Sequence, residues 1–303
     1  MTLDFDSVLS APRSGRDRAV IIDHHDYAQS VFLRGQPVPW TDPVRYSNFI
    51  GQAQGLLNPD VTLLDLGRFH TARIAANDSL RASMSARSRT GYALKTLLAD
   101  SETARQAYEL ASVVAQTSKA PLVLQIPAPT VWLAATHEAA GAGTAADIDV
   151  DDAENMSVYI ADWLRGLAQL PVTAVLLDAR SAGCPLPDVP ITTYSPILNV
   201  TEHYRWSLGK RGATRVSILN GPDGAVVPEQ FWDADGESLE DAAFYLAEIP
   251  SGAVPETVLT QLATLPSEPR HDQSCAVSQR RRRRHHERFD AGRRWIRALR
   301  HPG

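Results

Sequence analysis

The chain has few of the features that identify a fold or a compartment quickly. Its 303 residues include two cysteines, Cys184 and Cys275, in unrelated contexts. That excludes a disulfide framework and an all-cysteine metal site. No run approaches the roughly 18 uninterrupted apolar residues of a membrane helix. Asp4, Asp6, Arg13, Arg16 and Asp17 stand where a secretory leader would need an apolar centre. A cytoplasmic protein without membrane contact is expected. No Gly-x-Gly-x-x-Gly turn follows the first apolar run and no Walker-type loop occurs, which weakens the case for an open nucleotide-binding sheet.

Charge is unevenly spread. The net value of -5 divides into -13 over residues 1–269 and +8 over residues 270–303, where 11 arginines face Asp272, Glu287 and Asp290. An acidic body argues against nucleic acid as the main ligand, because phosphate contacts need a basic face. Arg280 to Arg284 are five adjacent like charges, which repel one another and bury nothing. The segment 267–303 therefore reads as a disordered basic tail, its partners a protein or, failing that, nucleic acid through the tail alone.

What the chain does have is a hydrophobic content of 44%, ample for a core. It also has two short, continuous apolar runs at 121–127 and 172–180. Runs of this kind, rich in Val, Leu and Ile and lacking alternation, suit strands buried on both faces of a parallel sheet. Further strands are expected at 18–22, 60–66, 191–194, 214–219 and 243–249. Helices are expected at 42–57, across 77–117 with a break near Asp100, from Val131 to His137, and at 151–170, 196–208 and 255–265. Strands alternating with helices imply right-handed crossovers and an α/β fold, here a (β/α)8-type barrel, complete or lacking a unit. The expected division is an N-terminal extension at 1–17, the barrel at 18–266 and the tail.

In a parallel barrel the reactive groups gather at the carboxyl ends of strands, where the loops converge on one mouth. That rule selects Asp23, His24, His25 and Asp26; Arg68 and His70; Gln125; Asp178 and Arg180; Tyr194; Asn220; and Glu248. The Asp23 to Asp26 cluster suits proton transfer, a divalent metal or a structural loop, and adjacent residues cannot all face one site. Arg68 suits an anion, since guanidinium binds carboxylate or phosphate through two hydrogen bonds. Asp178 and Arg180 suit either a buried ion pair or a grip on both ends of an amino-acid-like ligand. Cys184 has no identifiable partner histidine and reads as inert.

Residues 121–132, an apolar strand through Gln125 and Ile126 followed by a turn with Pro127 and Pro129 before Trp132, resemble a strand-and-turn segment of the cobalamin-independent methionine synthases and the related uroporphyrinogen decarboxylase-like barrels. The helix from Asp151 with the strand ending at Asp178 resembles the next unit, and Glu248-Ile249-Pro250-Ser251 the last strand-to-helix junction. The resemblance covers about half the chain. It implies a barrel enzyme. The zinc-binding His-x-Cys pair of the methionine synthase branch is missing, whereas the decarboxylase branch uses arginines and a carboxylate without a metal, which Arg68, Asp178 and Arg180 match in kind.

The expected activity is accordingly group transfer or carbon–carbon bond cleavage on a small anionic metabolite bearing a carboxylate or thiol, with no metal or other cofactor. His24, His25 and Asp178 are the expected catalytic residues, and Arg68, His70, Gln125, Arg180, Tyr194 and Glu248 the expected substrate contacts. The alternative is a non-catalytic binding or accessory protein on a degenerate barrel.

Overall fold

The computed structural model describes residues 4–144, 148–181, 186–233 and 239–265. The chain divides into two units, Met1–Pro266 and Ser267–Gly303, and all the described residues belong to the first. Cys184, Cys275 and the arginine run lie outside the described residues.

Eight strands form one nearly closed, barrel-shaped sheet: β1 (Ala19–Asp23), β2 (Thr62–Asp65), β3 (Leu122–Pro127), β4 (Val172–Asp178), β5 (Ser207–Arg211), β6 (Arg215–Ile218), β7 (Asp223–Val227) and β8 (Phe244–Glu248). Their order is β1-β8-β7-β6-β5-β4-β3-β2. Around them run α1 (Phe5–Ser10), α2 (His25–Leu33), α3 (Pro43–Leu57), α4 (Leu66–Ala76), α5 (Asp78–Met84), α6 (Tyr92–Ala99), α7 (Ser101–Thr117), α8 (Pro129–Ala139), α9 (Val150–Arg165), α10 (Ser195–Tyr204) and α11 (Pro255–Thr264). No helix among the described residues is long and apolar enough to cross a membrane. The expected α/β barrel class is what the chain forms.

The apolar runs expected at 18–22, 60–66, 121–127 and 172–180 become β1 to β4, buried almost throughout, because inner residues fill the barrel and outer ones meet helices. Ile21, Leu63, Val123, Ala174, Leu176 and Leu246 belong to the interior cluster. The stretch expected as an extension carries α1, whose Phe5 and Val8 join that interior, with Phe5 edge-on to Phe244 at 6.4 Å. Between the end strands β1 and β2 a side chain replaces the ladder. Asp60 accepts from the Val20 amide at 2.8 Å, and its own amide donates to the Val20 carbonyl at 3.1 Å.

Local chemistry explains most boundaries. Asp42 caps α3 by accepting from the Arg45 amide, with Pro43 in the first turn, and Asn58 ends it in the left-handed region. Asp100 accepts from the Thr103 amide, producing the expected break. A second break at Gly91, φ +81°, gives 77–117 three helices where the sequence pattern suggests two.

Several expectations need correction. Residues 191–193 form a 3-10 turn, not a strand. The helix expected at 196–208 stops at Tyr204, because Arg205 adopts φ +58°, and β5 follows. The parallel arrangement is interrupted by β6, which runs antiparallel to both neighbours. Tight connections thus stand in place of two helical crossovers. The helices α2 and α4, starting immediately after β1 and β2, are additions to the expected set.

Candidate functional site

The carboxyl ends of the parallel strands place charged side chains in register. Asp23 of β1 pairs with Glu248 of β8, Asp65 of β2 with Gln125 of β3, and Asp178 of β4 with Arg211 of β5. Arg211 is wholly buried. Its Nη1 donates to Asp23 Oδ2 at 2.8 Å and to Gln125 Oε1 at 3.0 Å, and its Nη2 donates to Glu248. One guanidinium from the irregular side of the barrel therefore ties together three strands of the regular side. Its Nε is buried without a partner.

Two further guanidiniums lie above this layer. Arg68, in the first turn of α4, makes a two-point bridge to Asp26 at 2.5 and 3.0 Å, and lies 3.4 Å from Asp65 and 3.6 Å from Glu248. Arg180, just past β4, makes a two-point bridge to Asp178 at 2.9 and 2.8 Å and also reaches Glu248. Burial disfavours the charge on both, but the surrounding carboxylates outweigh it and hold both guanidiniums charged.

The carboxylates are pushed apart. Burial alone would raise Asp23, but the hydrogen bond and charge of His25, with Arg211 and Arg68, bring it well below the usual carboxylate range. Asp65, deeply buried and repelled by Asp23, is raised despite accepting from Gln125 Nε2 at 2.8 Å and from the Arg68 amide at 3.0 Å. Among the described residues, the mouth sets the carboxylates of Asp23, Asp26, Asp65, Asp178 and Glu248 against the guanidiniums of Arg68, Arg180 and Arg211.

His25, at the start of α2, has Nδ1 3.2 Å from Asp23 and Nε2 2.9 Å from the Tyr46 hydroxyl. With Asp23 ionised, Nδ1 donates to its carboxylate, and Nε2 and the Tyr46 hydroxyl share the second hydrogen bond. Trp40 stacks on its face at 5.7 Å. Burial, with Asp65 and Asp23 nearby, raises the Tyr46 phenol well above its ordinary range, so it stays neutral.

Beside this network opens a cleft of about 800 Å³. His25, Asp26, Asp65, Arg68, Asp178 and Arg180 form its polar end, while Val38, Trp40, Pro127, Val131, Ala134 and Leu186 contribute apolar surface. Gly67 belongs to the same wall, and a Cβ there would come within 2.9 Å of the Pro127 ring.

Of the expected site residues, His25, Arg68, Asp178 and Arg180 line the cleft, and Gln125 and Glu248 lie directly behind it in the network. The structure does not bring the other three to the cleft. His24 is buried beside His25 with Nδ1 lacking a partner, and burial together with the neighbouring imidazole lowers it to about 3. His70 belongs to α4 and packs against Trp132 and Trp163, its Nδ1 donating to the Leu66 carbonyl at 2.6 Å. Burial lowers it to about 4. Tyr194 is a core residue among the outer helices.

Sequence reasoning does not single out Asp65, Arg211, Tyr46 or Trp40. Asp65 ends a strand and so obeys the rule that selects the others, whereas Arg211 sits on a strand just beyond the expected helix at 196–208. Among the described residues, no group of three or more His, Cys, Asp or Glu side chains is placed to hold a metal ion. No protein-family model matches the chain, and no curated protein or solved structure matches it.

Proposed function

We propose that the chain is a cytoplasmic, metal-independent enzyme that binds a small carboxylate- or thiol-bearing metabolite at the barrel mouth and acts on it by group transfer or carbon–carbon bond cleavage. One observation carries the proposal: Arg68 and Arg180 border the same cleft, and the two-point partner of Arg68 is Asp26, whose side chain is 47% exposed. A ligand carboxylate takes over the two guanidinium nitrogens as Asp26 turns into water. The Asp178–Arg180–Glu248 set then meets the rest of the head group. Two buried carboxylates with opposite shifts, Asp23 and Asp65, supply the contrast in basicity that acid–base chemistry uses. Asp65 is the one that lines the cleft. The resemblance to methionine synthase-like and decarboxylase-like barrels supports the same reaction classes.

The second reading is a binding or accessory protein, with the basic tail docking to a protein partner. It is favoured by His25, whose two ring nitrogens are both engaged and whose outer partner Tyr46 is fully buried.

Calorimetric titration of the full chain with short carboxylates and thiols tests the head site. Saturable binding that weakens at least tenfold in Arg68→Ala is expected, and equal affinity in the variant would remove Arg68 from the site. Product analysis with whichever compound binds then separates the two readings. Turnover that is lost in Asp178→Asn supports the enzyme, and binding without turnover supports the accessory protein.

A further inference from the structure

The cleft is far larger than its charged end requires. At roughly 30 Å³ per water molecule, a volume of about 800 Å³ corresponds to some 25 waters, of which a two-carbon carboxylate displaces only a few. The remaining space runs along two helices. From Arg68, α4 presents Thr71, Ala72 and Ala75 to the cleft, and α8 presents Val131, Ala134, Ala135 and Glu138. These positions recur at helical spacing, so each set forms one stripe along its helix. From Arg68 to Ala75 a helix advances about 10 Å. Trp40 adds an aromatic surface. Between Arg68 and Glu138, short side chains along both helix stripes leave a trough where interiors of this composition ordinarily close to van der Waals contact.

We propose that the ligand is an amphiphilic carboxylate: its head lies on Arg68, a placement that rests on the function proposed above, and an unbranched or aromatic apolar arm lies in the trough between α4 and α8. The head group supplies orientation and the arm supplies most of the affinity, the usual division of labour in a concave site with a few polar anchors.

The test is a chain-length series, acetate, butyrate, hexanoate, octanoate and decanoate, titrated calorimetrically into the full chain beside the matching alcohols. Affinity for the acids is expected to rise about two- to fourfold per methylene and to level off once the arm fills the trough. The acids are expected to bind at least tenfold more tightly than the alcohols. Ala75→Trp and Ala135→Trp, both at exposed positions of their helices, are expected to bring octanoate affinity down towards that of acetate.

A flat acid series, or octanoate binding untouched by either tryptophan, would overturn the amphiphilic ligand. Alcohols that bind as well as acids while showing the same rise per methylene would support the arm and overturn the carboxylate head on Arg68.

Discussion

Asp26 and a ligand carboxylate compete for the same two nitrogens of Arg68. The pair is part-exposed, 30% for Arg68 and 47% for Asp26, so its own strength lies near that of surface ion pairs, about 0.2–1 kcal/mol. Removing the competing charge should therefore help the ligand: Asp26→Asn is expected to raise acetate affinity about two- to fivefold by calorimetric titration. A loss of affinity instead would mean that Asp26 positions the guanidinium more than it blocks it. Arg68, Asp178, Arg180 and Glu248 are legible in the sequence because each follows or ends an apolar run, and the topology of a barrel does the rest. Arg211 is not. Its strand reads Ser207, Leu208, Gly209, Lys210 and Arg211, too polar to declare itself, and its role depends on facing Asp23, 188 residues away.

The strand expected at 214–219 forms as β6, but its antiparallel direction, and the added strands β5 and β7, are what a pattern of alternating strands and helices could not foretell. β5, β6 and β7 are short and rely on glycine where the barrel wall is crowded. A Cβ on Gly224 would lie 2.5 Å from the Phe244 ring, and that ring is itself held edge-on by Phe5. Gly224→Ala should therefore force the barrel interior apart and cost about 1–3 kcal/mol, the usual range for overpacking. By contrast, Gly55 lies exposed in α3, and a Cβ there would meet nothing within 4 Å. Gly55→Ala should stabilise by about 0.5–1 kcal/mol. Denaturant unfolding of both variants checks the contrast, and a neutral Gly224→Ala would mean that the hairpin yields where the structure shows it packed. The helices α2 and α4 escape the sequence for a different reason. Each begins on the residues that look like loop chemistry, His25 and Asp26 in one and Arg68 and His70 in the other.

The protein as a whole stores charge-sensitive groups where water does not reach, and this fixes how its stability depends on pH. His24 is lowered from 6.5 to about 3, mainly by burial, with His25 and Arg68 opposing its protonation and Asp23 favouring it. His70 is lowered from 6.5 to about 4, again mainly by burial, with Arg73 adding to the effect and the Leu66 carbonyl opposing it. In both cases the folded state binds its proton less readily than the unfolded chain does. The stability they confer is complete above pH 6.5 and is lost as pH falls through the window towards 4 and 3. Each histidine contributes a slope of about 1.4 kcal/mol per pH unit inside that window. Asp65 works in the opposite sense, because its raised carboxyl takes up a proton more easily when folded, and it offsets part of the loss. Asp23 adds to the loss only at the acid end, below its ordinary value of 3.8. Unfolding free energy measured by denaturant from pH 7.5 to pH 4 is therefore expected to hold level above 6.5 and then fall steeply. His24→Asn with His70→Gln should flatten that fall. The same steep fall in the double variant would overturn the assignment of the acid sensitivity to these two histidines.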